Sequence, residues 1–311
     1  MIKRFSILFL FWMLTFRLFA QQDPMYSQYV FNGLLINPAY AGSREVLNAT
    51  ALYRNQWVNI PGAPKTGAFS LDSPVKNQKV GLGLNVIFDK IGVTNHSGIS
   101  GIYSYKVYFS PQSVLSFGLQ AGIGFFNSTN TEVKYTNDNN IDPAFQEDYH
   151  RVLPNFSFGA YFHSDRFFMG LSVMDILGKT IENQIYPNMA NDLNINVVSH
   201  FFVNTGYLFD LSPDVHFQPS VLVKYVNGAP IEGDFNGVFS IYDILAFGVS
   251  YRSFASVDFL MQVRVSKQLS LGYSYEYSTN ELSNFTSGSH EIVLRYQFDF
   301  SKGKIVTPRF F

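Results

Sequence analysis

The sequence predicts an all-β fold: a transmembrane antiparallel β-barrel of the outer-membrane type, with about fourteen strands. Three observations carry this. Apolar and polar residues alternate with period 2 through most of the chain from Glu45 to Phe300. The connections between the alternating runs take turns between short and long. The polar rows are rich in glycine and serine rather than lysine and glutamate, and charged residues make up only 14% of the chain, against ~25% in ordinary soluble domains.

The last run shows the alternation most plainly. Ile292, Leu294, Tyr296, Phe298 and Phe300 form one row; Glu291, Val293, Arg295, Gln297 and Asp299 form the other. A soluble sandwich strand alternates in the same way, so the decision rests on repetition. The runs Glu45–Trp57, Thr66–Asp72, Val80–Asp89, Ile99–Phe109 and Leu115–Phe125 come first. Phe156–Phe162, Phe167–Val173, Phe201–Phe209, Val215–Tyr225 and Phe235–Ile241 follow, then Leu245–Tyr251, Val257–Val265 and Leu269–Tyr277. Glycines 81, 83, 118, 122, 124, 248 and 272 fall on the inner rows, and aromatics on the outer ones.

Alternate connections are short, as in Ser110–Ser113, Ser164–Arg166, Asp210–Asp214, Tyr242–Asp243 and Ser266–Gln268, although Val75–Lys79 is a medium turn on this side and Ser253–Ser256 a short one on the other. Several of the others are long: Asn127–Asn155, Gly178–His200, Asn227–Asp234, Ser278–Ser289. A sandwich has no reason to sort its loops this way. A barrel with one rim in the periplasm and the other outside the cell does.

Four segments follow. Residues 1–20 read as a signal peptide, with Lys3 and Arg4 before the apolar run Phe5–Phe16 and cleavage after Ala20. A retained helical anchor is the rival reading, and no cysteine is available for lipidation. Residues 21–44 carry the turn signals Asp23-Pro24, Asn32-Gly33 and Asn37-Pro38 without strict alternation, which fits an irregular periplasmic or plug segment. Residues 45–300 are the barrel, and 301–311 a periplasmic tail. An even strand count puts both barrel ends on the short-turn side, making neighbours of the segment 21–44 and the tail. Tyr26, Tyr29, Phe31, Tyr40, Arg309, Phe310 and Phe311 are the candidate partner-binding residues, because aromatic clusters with an arginine are common interface anchors.

Charges on the inner rows form a candidate lumen network of Arg54, Lys106, Lys224, Arg252, Arg264, Glu276, Glu291 and Arg295. Unpaired buried charge is costly, so pairing inside a closed barrel is the simplest account; a polar conduit is the functional alternative. A net charge of −1 speaks against a nucleic-acid partner. The chain has no cysteine, which excludes thiol nucleophiles, Cys-zinc sites and disulfides. Its six histidines lack metal-ligand spacing. Asp138 to Asp142 resembles half a calcium loop, but Pro143 stands where glycine is required. Ser199-His200 and Ser289-His290 are adjacent pairs and cannot form a triad by themselves. Neither enzymatic activity nor a cofactor is expected.

Specific motifs then carry a resemblance. Asp23-Pro24, Tyr26-Ser27-Gln28-Tyr29, Phe31-Asn32 and Leu35-Ile36-Asn37-Pro38-Ala39-Tyr40-Ala41-Gly42 resemble the start of the PorP/SprF family of Bacteroidota outer-membrane proteins. Tyr53-Arg54-Asn55-Gln56-Trp57, Gly272-Tyr273-Ser274-Tyr275-Glu276-Tyr277 and Pro308-Arg309-Phe310-Phe311 are similar to later family motifs. Gly33 departs from the proline expected there. The resemblance implies a non-enzymatic component of the type IX secretion system. Its implied partners are periplasmic and outer-membrane secretion proteins, a secreted cargo protein and outer-membrane lipid, with a gliding-related adhesin as one cargo served within the family. An outer-membrane channel or hydrophobic-ligand transporter is the alternative.

Overall fold

The computed structural model describes residues 25–75, 77–132, 147–176 and 198–298. The signal-peptide and tail segments, Asp138 to Asp142, Arg309, Phe310 and Phe311 lie outside them. The alternation closes into one antiparallel sheet. Its strands are β1 (Leu47–Asn55), β2 (Lys65–Val75), β3 (Val80–Ile91), β4 (Thr94–Tyr108), β5 (Val114–Ser128), β6 (Tyr149–His163), β7 (Phe167–Ile176) and β8 (His200–Tyr207). Then come β9 (Phe209–Ser212), β10 (Val215–Val226), β11 (Glu232–Ile241), β12 (Leu245–Arg252), β13 (Ser256–Arg264), β14 (Leu269–Ser278) and β15 (Ser289–Phe298). Both β8 and β9 pair with β10 and are parted only by Leu208, so together they make one stave of a closed 14-strand barrel. β15 pairs with β1 from Leu47↔Phe298 to Asn55↔His290, and no sheet edge is left open there. Closure is what allows a sheet to sit in lipid, where an unpaired backbone group costs several kcal/mol.

The alternation settles which face is which. Tyr53, Leu82, Leu119, Phe158, Met169 and Phe259 are exposed on the outside. Their neighbours along each strand, such as Arg54, Gln120 and Asp258, are buried inside.

One connection differs from the sequence reading. The stretch between β3 and β4, expected as a gap over residues 90–98, is a tight turn at Gly92 and Val93, with Ile91 paired to Thr94. Thr94 to Gly98 lacks apolar alternation, yet every residue of it pairs with β3 and with β5. β4, β5 and β6 each have 15 residues. At ~3.3 Å per residue that is about 50 Å, more than a ~25 Å apolar band needs even at a ~40° tilt. The wall therefore stands into water on its long-loop rim, where polar residues suit both faces.

Residues 25–44 lie inside the barrel. They form three 3₁₀ turns, Ser27–Val30, Gly33–Leu35 and Pro38–Tyr40. Asn37 caps the last, its side chain accepting the Ala39 N–H at 2.9 Å, with Pro38 in the first helical position. Gly42, at φ +69°, turns the chain toward β1.

The barrel ends, Leu47 and Phe298, do meet at the short-turn rim. The inner segment does not stay there. Ser27 and Gln28 sit beside Arg54 and Glu291, at the opposite end of β1 and β15. This differs from the expectation that the whole segment stays on the short-turn side. The reason is physical: its rings and its 3₁₀ carbonyls find apolar and hydrogen-bonding partners only up the lumen wall. Each buried apolar cluster among the described residues contains part of this segment. Leu34, Ala39, Tyr40 and Ala41 pack with Ile102, Tyr161 and Phe168. Tyr26 packs with Leu52, Ala68 and Val293, Tyr29 and Ile36 with Phe202 and Leu222, and Phe31 with Val238 and Leu260.

Candidate functional site

The site is the contact between this inner segment and the lumen wall. Short 3₁₀ turns leave many backbone groups unmatched within themselves, and buried groups of that kind need partners. Wall side chains supply them at successive points. Glu291 accepts the N–H of Ser27 at 3.1 Å and of Gln28 at 2.8 Å. Asp72 accepts the Gly42 N–H at 2.8 Å. Ser104 donates to the Ala41 carbonyl at 2.8 Å, Ser172 to that of Ile36 and Lys106 to that of Gly42. Arg295 of the wall and Arg44 of the segment itself both donate to the Phe31 carbonyl. In return the segment's Asn37 donates to the carbonyls of Ala160 at 3.0 Å and Leu171 at 3.4 Å. Asn236 donates to the Tyr29 hydroxyl at 2.8 Å.

Glycines in the wall allow this approach. An ideal Cβ at Gly118 would overlap backbone atoms of Pro38 and Ala39, one at Gly81 the Ala41 carbonyl, and one at Gly159 the Asn37 amide. At Gly272 it would come within 2.9 Å of Gln28 Oε1. Absence of a side chain is what lets backbone meet backbone. Of the inner-row glycines visible in the sequence, Gly81, Gly118 and Gly272 serve the segment. Gly83, Gly122, Gly124 and Gly248 instead face atoms of the wall itself.

A charged network closes over the Ser27 end. Arg54 pairs with Glu276 at 2.7 Å and Glu291 at 3.2 Å. Arg252 meets Asp234 at 3.1 Å, Glu276 at 3.2 Å, Glu232 at 3.4 Å and Asp258 at 3.8 Å. Glu276, shared by both arginines, joins the two halves. Lys224, buried, is in register with Glu232 across β10 and β11. Guanidiniums engaged by several carboxylates suit a site from which water is largely excluded.

Of the eight candidate lumen residues, the structure brings Arg54, Arg252, Glu276 and Glu291 into one network. Lys106 and Arg295 contact backbone carbonyls of the inner segment, and Arg264 lies half-buried near the short-turn end. Tyr26, Tyr29, Phe31 and Tyr40 are buried against the wall, each 5–6% exposed; Tyr40 packs on Tyr161 with ring centroids 5.3 Å apart. Asp72, Ser104, Gly159 and Ser172 were not singled out in the sequence, and Asn37 only as part of a turn signal and a family motif. A wall serine or asparagine reads as lumen polarity, and only the segment lying upon it gives it a role. In the serine–histidine pairs, Ser289 donates to Glu276 at 3.0 Å, the His290 ring meets the Tyr273 hydroxyl at 2.7 Å, and Ser199 donates to the Asp175 carbonyl at 3.1 Å.

Residues 18–296 match the family model described as type IX secretion system membrane protein PorP/SprF. The chain belongs to the PorP/SprF family. No curated protein sequence matches it. Several solved structures are similar in fold. Omp33 of Acinetobacter baumannii aligns at 9% identity with a TM-score of 0.46, over 82% of this chain and 100% of that one. A Pseudomonas aeruginosa FadL homologue aligns at 13% identity and TM-score 0.46, over 89% and 95%. The deltaS2S3 mutant of TodX, described as a monoaromatic hydrocarbon channel, aligns at 7% identity and TM-score 0.50, over 86% and 94%. At such identities the likeness concerns the barrel alone. This PorP/SprF protein is thus an outer-membrane-type barrel of type IX secretion, a class of secretion component and not of enzyme.

Proposed function

We propose that this PorP/SprF protein serves type IX secretion as a plugged barrel that binds protein partners at its rims and helps deliver or attach particular cargo proteins at the cell surface. In a gliding cell an adhesin is a fitting cargo. Residues 1–20 would direct export and be removed, residues 25–44 would act as the plug, and the tail 301–311 would meet periplasmic secretion partners. One observation carries the reading: the inner segment is bonded to the wall from Ser27 to Gly42 by side chains of many different strands. A passive channel or hydrophobic-ligand transporter needs a continuous path, and this packing works against one.

Deletion of the gene, followed by mass spectrometry of the cell surface and spent medium, tests the role. Loss of one or a few large exported proteins is the expected result. An unchanged profile, together with steady large currents from the purified barrel in planar bilayers, would replace this reading with the channel.

A further inference from the structure

The short-turn end of the lumen holds a second constellation, below the Phe31 end of the inner segment and away from the acidic network. A cavity of about 60 Å³ is lined there by Arg44, Arg264, Arg295, Gln218, Gln262 and Asp243, among others. Among the described residues none of the three arginines forms an ion pair. Arg44 and Arg295 share one neutral acceptor, the Phe31 carbonyl. Asp243 is the single carboxylate of the lining, and Asp72, just outside it, also acts on Arg44 and Arg295, so positive charge still exceeds negative around the cavity. Three buried donors, Gln218 Nε2, Gln262 Nε2 and Arg295 Nε, and one buried acceptor, Asp243 Oδ1, have no hydrogen-bond partner. Gln218 and Arg295 are each only 5% exposed. Excess positive charge and unmet N–H groups converging on one cavity are costly unless something negative completes them.

We propose that this cavity binds a phosphate-class oxyanion, entering from the short-turn, periplasmic side. Planar guanidinium forks match the oxygens of such an anion. The donors exceed the roughly four lone pairs a carboxylate offers, while phosphate accepts more and brings negative charge against the excess of guanidiniums. A single water needs roughly 10–15 Å³, so a cavity of about 60 Å³ admits an ion of several heavy atoms. The source is either free phosphate or a phosphate ester on a larger molecule.

Isothermal titration of the purified full-length barrel in detergent tests this, using sodium phosphate, glycerol 3-phosphate and sodium acetate, each against sodium chloride at matched ionic strength. Saturable one-site binding of phosphate is expected. Arg264→Gln and, as a neutral change less prone to disturb folding, Gln262→Ala should each weaken it about tenfold, the scale of one charge-assisted hydrogen bond. Heat-modifiable migration reports that both variants remain folded. Glycerol 3-phosphate binding as well as phosphate would assign the site to an ester; binding of phosphate alone would assign it to the free ion. No heat beyond that of chloride, undiminished binding in both folded variants, or tighter binding of acetate would each overturn the proposal.

Discussion

Glu291 grips Ser27 through the backbone, although 264 positions separate them: Oε2 accepts the Ser27 N–H at 3.1 Å while also accepting from Arg54 at 3.2 Å. Oε1 takes the Gln28 N–H at 2.8 Å. One wall carboxylate thus holds both the inner segment and the cation beside it. Glu291→Ala leaves two buried N–H groups unmet, at ~1–3 kcal/mol each. Docking of residues 25–32 should weaken by about 3 kcal/mol, which raises amide hydrogen exchange there about a hundredfold. The barrel should keep its heat-modifiable migration, because its strand ladder is untouched.

Gly118→Val is expected to expel the segment rather than unfold the wall. The new side chain would occupy the space of Pro38 and Ala39, while valine itself favours a strand. The natural chain has no cysteine, so Ala39→Cys provides a clean reporter. Reaction with a water-soluble maleimide should be slow in the parent and at least about tenfold faster with Gly118→Val, as the local opening free energy falls by ~1.4 kcal/mol or more.

Removing residues 25–44 strips the apolar clusters and bonded backbone out of the lumen. Planar-bilayer recordings of the shortened barrel should show steady currents, and those of the full chain should not. Equal currents from the two would mean that the segment does not close the pore.

On the outer face, Leu119 is 58% exposed, as a lipid-facing residue is in the absence of lipid. Leu119→Arg should destabilise folding into liposomes by about 2–4 kcal/mol, read from denaturant titration. Leu119→Phe should change it little.

The tail gives a last expectation. Truncating Lys304–Phe311 should leave assembly and migration intact while weakening co-purification of periplasmic secretion partners. Undiminished capture of those partners would remove Arg309, Phe310 and Phe311 from consideration as the contact.

The sequence by itself determined most of the strands, their faces and, apart from the tight β3–β4 turn, much of the sorting of their loops. Period-2 alternation is a local property: Leu52 and Tyr53 face opposite ways whatever else the chain does. Membership of the PorP/SprF family was also legible, in runs such as Leu35 to Gly42. Tertiary structure decided what fills the barrel. Asn37 meets Ala160 and Leu171, Gly42 meets Asp72, and Ser27 meets Glu291, contacts that no periodicity encodes because their separations follow from closure and register. The glycines of the inner rows were visible, but a glycine in a strand signals only that something comes close. Whether that is a wall neighbour, as at Gly83, or the inner segment, as at Gly118, depends on where residues 25–44 lie. The same holds for charge. Arg54 and Arg252 could be placed on inner rows from spacing alone, but their joining through Glu276 needed three strands brought round the barrel into one network, because ion pairing is set by distance in space and not along the chain.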